Sequence, residues 1–447
     1  MWLFNSSRTS TTLLMTGILI ISMALGADNM TAGTDAPAHD IPALLDRSPG
    51  LNNVEFQRVQ QRYAELKTRL INNNDDVDAI IETARIFMSE ARITGEHPYY
   101  YPAALRLLNG ALEIAPMKYE ALVSLGSVQM SLHKFREAMA TARRAIDTAP
   151  ERATAYGILC DASLELGDYT AAVQACDRMV RLRPDLRSYA RISYLREIHG
   201  DMSGAIEAMQ MAVNAGIPGS EERAWVQTTL GNLYLKTGNA TAAQQAFYRA
   251  ALERDQYPFA LAGLARVQAM LGNTAQAFEL LETAANMAPE FSFLQLKADL
   301  LRAAGENTEA DALLAEIESM LAEDEAAGHV MDREFALMYA DHDIKLDQAA
   351  ARAAKELAKR PDNIDAQHTA AIVALHTGRA AEAQALIRRA MRLGSADPVM
   401  LAHAGLIEAA LGNREQARKL LESAVSANPF LPVLLKQEVF STLNALS

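Results

Sequence analysis

Apolar side chains along this chain recur with helical spacing. In the stretch LGNLYLKTGNATAAQQAFYRAAL, Leu230, Gly231 and Tyr234 share one helical face, and Ala243, Phe247 and Ala250 share another. Gly238-Asn239 interrupts the pattern between them, and a glycine there supplies the left-handed residue that caps one helix before the next begins. The predicted unit is a pair of short antiparallel helices. Period-two alternation of β-branched residues is scarce, which excludes a sandwich or barrel.

The unit repeats. Pro116, Pro150, Pro184 and Pro218 stand 34 residues apart, and Pro361 and Pro429 are separated by 68. Each proline stops the second helix of its unit. With Pro150 as position 32, small residues return at positions 8, 20 and 27: Gly126, Ala138 and Ala145 in the second unit, Gly405, Ala417 and Ala424 in the tenth. Those are the places where paired helices must approach closely. A lone pair cannot bury its apolar face, so the units must stack into a quasi-linear array.

Seven or eight units keep one phase, and over residues 81–431 the chain resembles the tetratricopeptide-repeat (TPR) family. The resemblance implies an all-α, right-handed α-solenoid of about ten helical hairpins with N- and C-terminal flanking helices. Residues 51–80 are expected to form a leading helix, 81–325 units one to seven, 326–431 units eight to ten, and 432–447 a capping helix. Several departures interrupt the phase. HPYYY at His97–Tyr101 reads as an insertion between the helices of unit one, and four extra residues lie near Ile217–Arg223. Unit eight has Leu346-Asp347 where Gly-Asn is expected, and the acidic stretch Leu321–Asp332 before it suggests a bend or a split between two sub-arrays.

Residues 1–27 read as a signal peptide. Arg8 precedes the apolar run Leu13–Leu25, and small residues follow at Gly26 and Ala27. Thirteen helical residues span roughly 20 Å, short of the roughly 30 Å hydrocarbon core, so cleavage is favoured over a permanent span. The alternative is an inner-membrane anchor made by residues 13–25. Residues 28–50, rich in Asp, Thr, Ala, Gly and Pro, read as a flexible linker. The expected location is the bacterial periplasm, with no membrane span after signal cleavage.

Composition narrows the chemistry. Asp plus Glu number 55 against 42 Lys plus Arg, a net charge of −13, which argues against nucleic acid as a partner. Cys160 and Cys176, the two cysteines, occupy inward positions 8 and 24 of unit three, as small buried hydrophobes or as a possible disulfide. Asp341-His342-Asp343 has metal-ligand residue types, but three consecutive helical residues point three ways, so it reads as a solvated turn or helix end. His368 and His376 are about 12 Å apart along one helix, too far to share an ion. Neither a nucleophile motif nor a phosphate-binding loop occurs. No catalytic residues, no metal and no cofactor are expected; the chain is not expected to be an enzyme.

In TPR proteins first helices line a concave groove, which positions 2, 5, 9, 12 and 13 face. The resemblance places Asp161 and Glu165 there, then Arg191, Leu195 and His199, then Trp225, Asn232 and Lys236. Phe259 and Arg266 follow, then Asp299 and Arg302, then His368, Ile372 and His376. Arg191, Lys236, Arg266 and Arg302 form a basic strip, with Trp225 and Phe259 nearby; arginine and aromatic residues anchor interfaces. Some TPR proteins grip a peptide's terminal carboxylate. Of the five matching positions Arg191, Asn232 and Arg266 suit that task, whereas Leu195 and Ala262 do not. The alternative is that the arginines pair with Asp161 and Asp299. The implied function is a non-catalytic scaffold or adaptor of the bacterial envelope that binds a protein or peptide partner in the groove. A second possibility is an assembly factor or regulatory subunit bound through the convex face or the terminal helix.

Overall fold

The computed structural model describes residues 41–51 and 53–446, so the signal segment and the linker up to residue 40 lie outside the described residues. Among the described residues there are 22 helices and no strand. A leading helix, α1 (Asn53–Asn72), precedes ten hairpins. The first five pair α2 (Val77–Thr94) with α3 (His97–Ile114), α4 (Tyr119–Ser131) with α5 (Phe135–Thr148), α6 (Ala153–Glu165) with α7 (Tyr169–Leu182), α8 (Leu186–Ile198) with α9 (Met202–Ala215), and α10 (Glu221–Lys236) with α11 (Ala240–Glu253). The next three pair α12 (Pro258–Met270) with α13 (Thr274–Met287), α14 (Phe291–Ala304) with α15 (Asn307–Ala326), and α16 (Asp332–Asp341) with α17 (Leu346–Lys359). The last two pair α18 (Ile364–His376) with α19 (Ala380–Ala390) and α20 (Pro398–Ala410) with α21 (Arg414–Ala427), and α22 (Val433–Leu446) closes the chain. The fold is an all-α repeat solenoid.

Local chemistry sets each hairpin. In unit three Gly167 adopts φ +84, the Asp168 amide donates to the Ser163 carbonyl at 2.8 Å, and the Asp168 carboxylate accepts from the Ala171 amide at 3.0 Å. Units two and eight make the turn without glycine. His133 takes φ +57 in the former, and Asp343 and Lys345 take +53 and +46 in the latter. Small residues sit where helices touch: a Cβ on Gly231 or Gly263 would lie 2.5 or 2.3 Å from the Phe247 ring. Phe247, fully buried, fills the slot those two glycines leave.

Several expectations need correction. The extra residues of unit one do not lie between its helices: α2 and α3 run 18 residues each where α4 and α5 run 13 and 14. HPYYY is the start of α3, where Tyr100 and Tyr101 are buried and Pro98 occupies the tolerated first turn. The phase break after unit seven is absorbed by α15, which runs 20 residues where α13 runs 14. One core cluster passes through it, from Leu314 and Leu321 to Phe335, Ile372 and Ile407, so the packing has no split at 325/326. The last ten residues assigned to a flexible linker are tied down. Buried Arg47 donates to both oxygens of buried Glu90, at 2.8 and 2.6 Å, and the Leu45 amide donates to the Tyr100 hydroxyl at 2.9 Å. Ile41, Leu44 and Leu45 also pack on the core of α1 to α4. Composition missed this because a few apolar residues without helical period carry the packing and the polar partners lie far along the chain.

The array coils until it meets itself. The hairpin turns of units one to five each seat against a connector much later in the chain. Gly95 packs on Pro289, Gly167 on Asp362, Gly200 on Gly394 and Gly238 on Pro429. His133 Nδ1 lies 2.8 Å from the Val330 carbonyl, a separation of 197 residues, and Ile364 N–H donates to Tyr169 Oη across 195. Each contact steps along by one repeat on both sides. Unit n therefore rests on the connector five units further on, and the solenoid completes a closed turn within its own length.

Candidate functional site: an inner acidic chamber

First helices stack on one another along the inner wall, α4 on α6, α6 on α8, α8 on α10 and α10 on α12. Because the coil closes, α8 and α10 come to face α16, α18 and α20 across the bore. Together with α14 and α22 they line a half-open cavity of about 740 Å³. That volume is within the usual range for ligand-binding clefts, roughly 300–1,000 Å³. The C-terminal helix forms one end: Leu434, Leu435 and Glu438 line the cavity, and Gln437 donates to the Ala303 carbonyl at 3.1 Å.

The lining is acidic. Among the described residues seven carboxylate side chains face three lysine or arginine side chains and four histidines. The cations are largely spoken for. Lys236 bridges Glu197 at 2.5 Å and Asp397 at 3.1 Å. Arg302 turns to Asp311 at 2.6 Å and Asn307 at 3.0 Å. Arg333 lies 3.9 Å from Glu334, with its Nε buried and without a hydrogen bond.

The histidines are set by burial. His368 Nε2 lies 3.0 Å from His403 Nδ1, and burial lowers the His368 pKa to about 4. His403 is pushed well down by burial and by His368, so this pair is neutral at physiological pH. His376 meets Asp343 at 2.8 Å. His342 is 7% exposed; its Nε2 lies 3.0 Å from Asp299 Oδ1, out of line for a hydrogen bond. Both ring nitrogens of His342 and that Asp299 oxygen are buried without a hydrogen-bond partner. Beside them Asp341 lines the cavity with its side chain exposed, and desolvation by the surrounding protein, with Asp299 adding repulsion, pushes its pKa up to about 7.

Residues assigned to the groove from sequence divide into three groups. Lys236 and Arg302 line the chamber, as do Asp299, His368, Ile372 and His376. Arg191 does not offer itself to a ligand: it grips Asp161 through two hydrogen bonds, at 2.8 and 2.5 Å, and ties the first helices of units three and four together. Asn232 accepts a hydrogen bond from Arg266 at 3.2 Å, and Arg266 remains exposed. Phe259 is half-buried and packs edge-on against Phe293, with ring centres 5.5 Å apart, so it belongs to the core; Trp225 stays 49% exposed. The basic strip is thus mostly neutralised by the chain's own acids, and a carboxylate grip built on Arg191, Asn232 and Arg266 lacks its first member.

Asp365, Arg333, His403 and Glu438 escaped the sequence reading. Unit eight has no Gly-Asn to set its register, and residues of units four and ten become neighbours only through coiling. The Asp341-His342-Asp343 tripeptide was recognisable by type. His342, expected in a solvated turn, is instead buried, because the turn of unit eight faces the bore.

Cys160 and Cys176 are both buried and carry free thiols, so the possible disulfide is not formed. Positions 8 and 24 do bring the thiols together: the hydrogen bond that Cys160 donates to Cys176, and then burial, raise the Cys160 pKa. Among the described residues no group of three or more His, Cys, Asp or Glu side chains is placed to hold a metal ion, and no helix is long and apolar enough to cross a membrane.

Sequence comparison finds the tetratricopeptide-repeat family over residues 123–187 and 228–291. No curated protein matches the chain. Among solved structures, a thermophilic TPR protein of Thermus thermophilus is 19% identical, with 44% of this chain and 98% of that one covered and a TM-score of 0.38. A TPR protein of Parabacteroides merdae is 19% identical, covering 58% and 93%, with a TM-score of 0.39. PilW, a type IV pilus biogenesis factor, is 16% identical, covering 45% and 92%, with a TM-score of 0.38.

Proposed function

We propose that this solenoid of tetratricopeptide repeats is a non-catalytic interaction scaffold that receives a segment of a partner protein in its inner chamber. The observation that carries the reading is the cavity of about 740 Å³, walled by first helices from both sides of the closed coil. Helical-hairpin arrays present inner surfaces of this kind to extended or helical segments. Apolar walls from Leu337, Ile364 and Val399 provide area, and the lining charges provide selectivity. The apolar run at residues 13–25 and the small residues after it support export to the bacterial envelope as the setting.

Leu337 is half-buried and lines the cavity, so Leu337→Trp should fill the bore while leaving the fold in place. Affinity purification of the tagged full chain from its native source, followed by mass spectrometry, should recover a partner that the Leu337→Trp chain loses. A partner retained equally by both chains, with matched thermal melts, would place binding elsewhere.

A further inference from the structure

The chamber described above sets the chemistry of what can enter it. We infer that it takes a cationic peptide segment, one that inserts a lysine or arginine side chain among Asp341, Asp299, Asp365 and Glu438. This deepens the scaffold reading and rests on it.

Charge bookkeeping inside the bore comes first. Lys236 offsets one of the two charges of Glu197 and Asp397, while Asp341 and Glu438 have no ion-pair partner among the described residues. Asp365 accepts from the Tyr194 hydroxyl at 3.5 Å and is attracted by the nearby Arg333, with which it forms no direct ion pair. The half-open chamber therefore carries a surplus of carboxylates, with Asp341 and Glu438 exposed to whatever enters it and Asp299 and Asp365 half-buried in its wall. An anionic segment would meet this surplus and lose. A neutral one would leave it uncompensated.

A second observation points the same way. The edge of the His342 ring and Asp299 Oδ1 are buried at the chamber wall without hydrogen bonds, although such groups normally find partners. An ammonium or guanidinium has several donors and no acceptors, which suits an unfilled carboxylate oxygen. The acids come from separate elements, Asp299 from α14, Asp341 from the end of α16, Asp365 from α18 and Glu438 from α22. They therefore converge only in the closed coil. The carboxylate grip suggested by sequence would take a segment of the opposite charge, and Arg191, its first member, is already occupied by Asp161.

The test uses the full chain and three fluorescein-labelled decapeptides of alternating Lys and Ala, Gln and Ala, or Glu and Ala, followed by fluorescence anisotropy at 150 mM salt. The lysine peptide should bind saturably and at least tenfold more tightly than the glutamine peptide, and the glutamate peptide should not bind. The double variant Asp341→Asn, Glu438→Gln should weaken the lysine peptide at least tenfold. The exposed pair Glu309→Gln, Glu415→Gln removes the same charge from outside the chamber and should change affinity less than twofold. Equal losses in the two double variants would mean attraction to the acidic surface in general, and the inference falls. Leu337→Trp separates the two levels of the reading. Lysine-peptide binding that survives Leu337→Trp unchanged overturns the chamber itself. Binding of the glutamine or glutamate peptide that Leu337→Trp abolishes keeps the chamber and overturns the charge assignment.

Discussion

The hydroxyl of Tyr169, at the start of α7, accepts a hydrogen bond from the backbone N–H of Ile364, at the start of α18, at 2.8 Å across 195 residues. Tyr169 is buried, and the adjacent Gly167 packs against the Asp362–Asn363 backbone so closely that a Cβ there would lie 2.3 Å from the Asp362 carbonyl. Contacts of this kind turn an open array into a closed coil. They also make the closure testable without a ligand.

Gly167→Ala should separate turn strain from coil closure when compared with Gly272→Ala. The two glycines have φ +84 and +82, but nothing lies within 4 Å of a Cβ on Gly272. The left-handed conformation costs each alanine variant about 1 kcal/mol. Only Gly167→Ala must also push two backbones apart. Thermal melts should show the larger loss for Gly167→Ala, and small-angle scattering should show an increased radius for it alone.

Arg360 is the charged counterpart of that contact. It is 6% exposed, bonds Glu356 at 2.6 Å, pairs with Glu165 of unit three, and lies 4.9 Å over the Phe135 ring of unit two. Arg360→Ala would leave buried Glu356 without its cation and should cost about 3 kcal/mol in chemical denaturation. Arg152→Ala, at the largely exposed pair with Glu120, should cost under about 1 kcal/mol.

Stability should peak at mildly acidic pH. Burial raises Asp341 and Glu290 to about 7 and Asp324 to about 6. With folded pKa values above their unfolded ones, these acids hold protons more tightly in the folded chain, so stability should rise as pH falls from 8 to about 6.5. His97 and His368 at about 4, His329 at about 3 and His403 well below normal have the opposite sign. They are neutral when folded, and the unfolded chain gains protons below about pH 6.5, so stability should fall from there towards pH 4. Melting temperatures measured from pH 4 to 8 check this; a monotonic rise with pH would contradict it.

Removing α22 should loosen the end of the chamber. Val439 and Leu435 are buried against Leu406 and Leu421 of the last hairpin, and Val433 reaches the core of units six and seven. A chain ending at Leu431 should remain helical by circular dichroism. Hydrogen exchange should quicken in α14, α20 and α21, and α4 to α7 should be unchanged.

The hairpin was legible in sequence because its causes are local. Gly167-Asp168 sets a turn, Pro150 ends a unit, and Gly231 admits Phe247; each acts within one repeat. The inner positions of regular units were legible too, which is why Asp299, Arg302, His368 and His376 fall in the chamber. Closure was not, since Tyr169 meeting Ile364 depends on a small rotation summed over five units, and no single repeat encodes that sum. The occupation of Arg191 by Asp161 was visible only as an alternative, because type and register cannot say which of two nearby partners an arginine takes. Arg47 was hidden for a related reason: it lies in a segment whose composition reads as unstructured, and its partner Glu90 is 43 residues away in α2.

The most direct measurement is carbodiimide coupling of the dilute monomer, which joins a lysine to a carboxylate in contact with it, read out by peptide mass spectrometry. Lys236 lies 2.5 Å from Glu197 in the neighbouring unit and 3.1 Å from Asp397 across the bore. The closed coil predicts links from Lys236 to both. A link to Glu197 with none to Asp397 would show an open solenoid, without the chamber on which the proposed function depends.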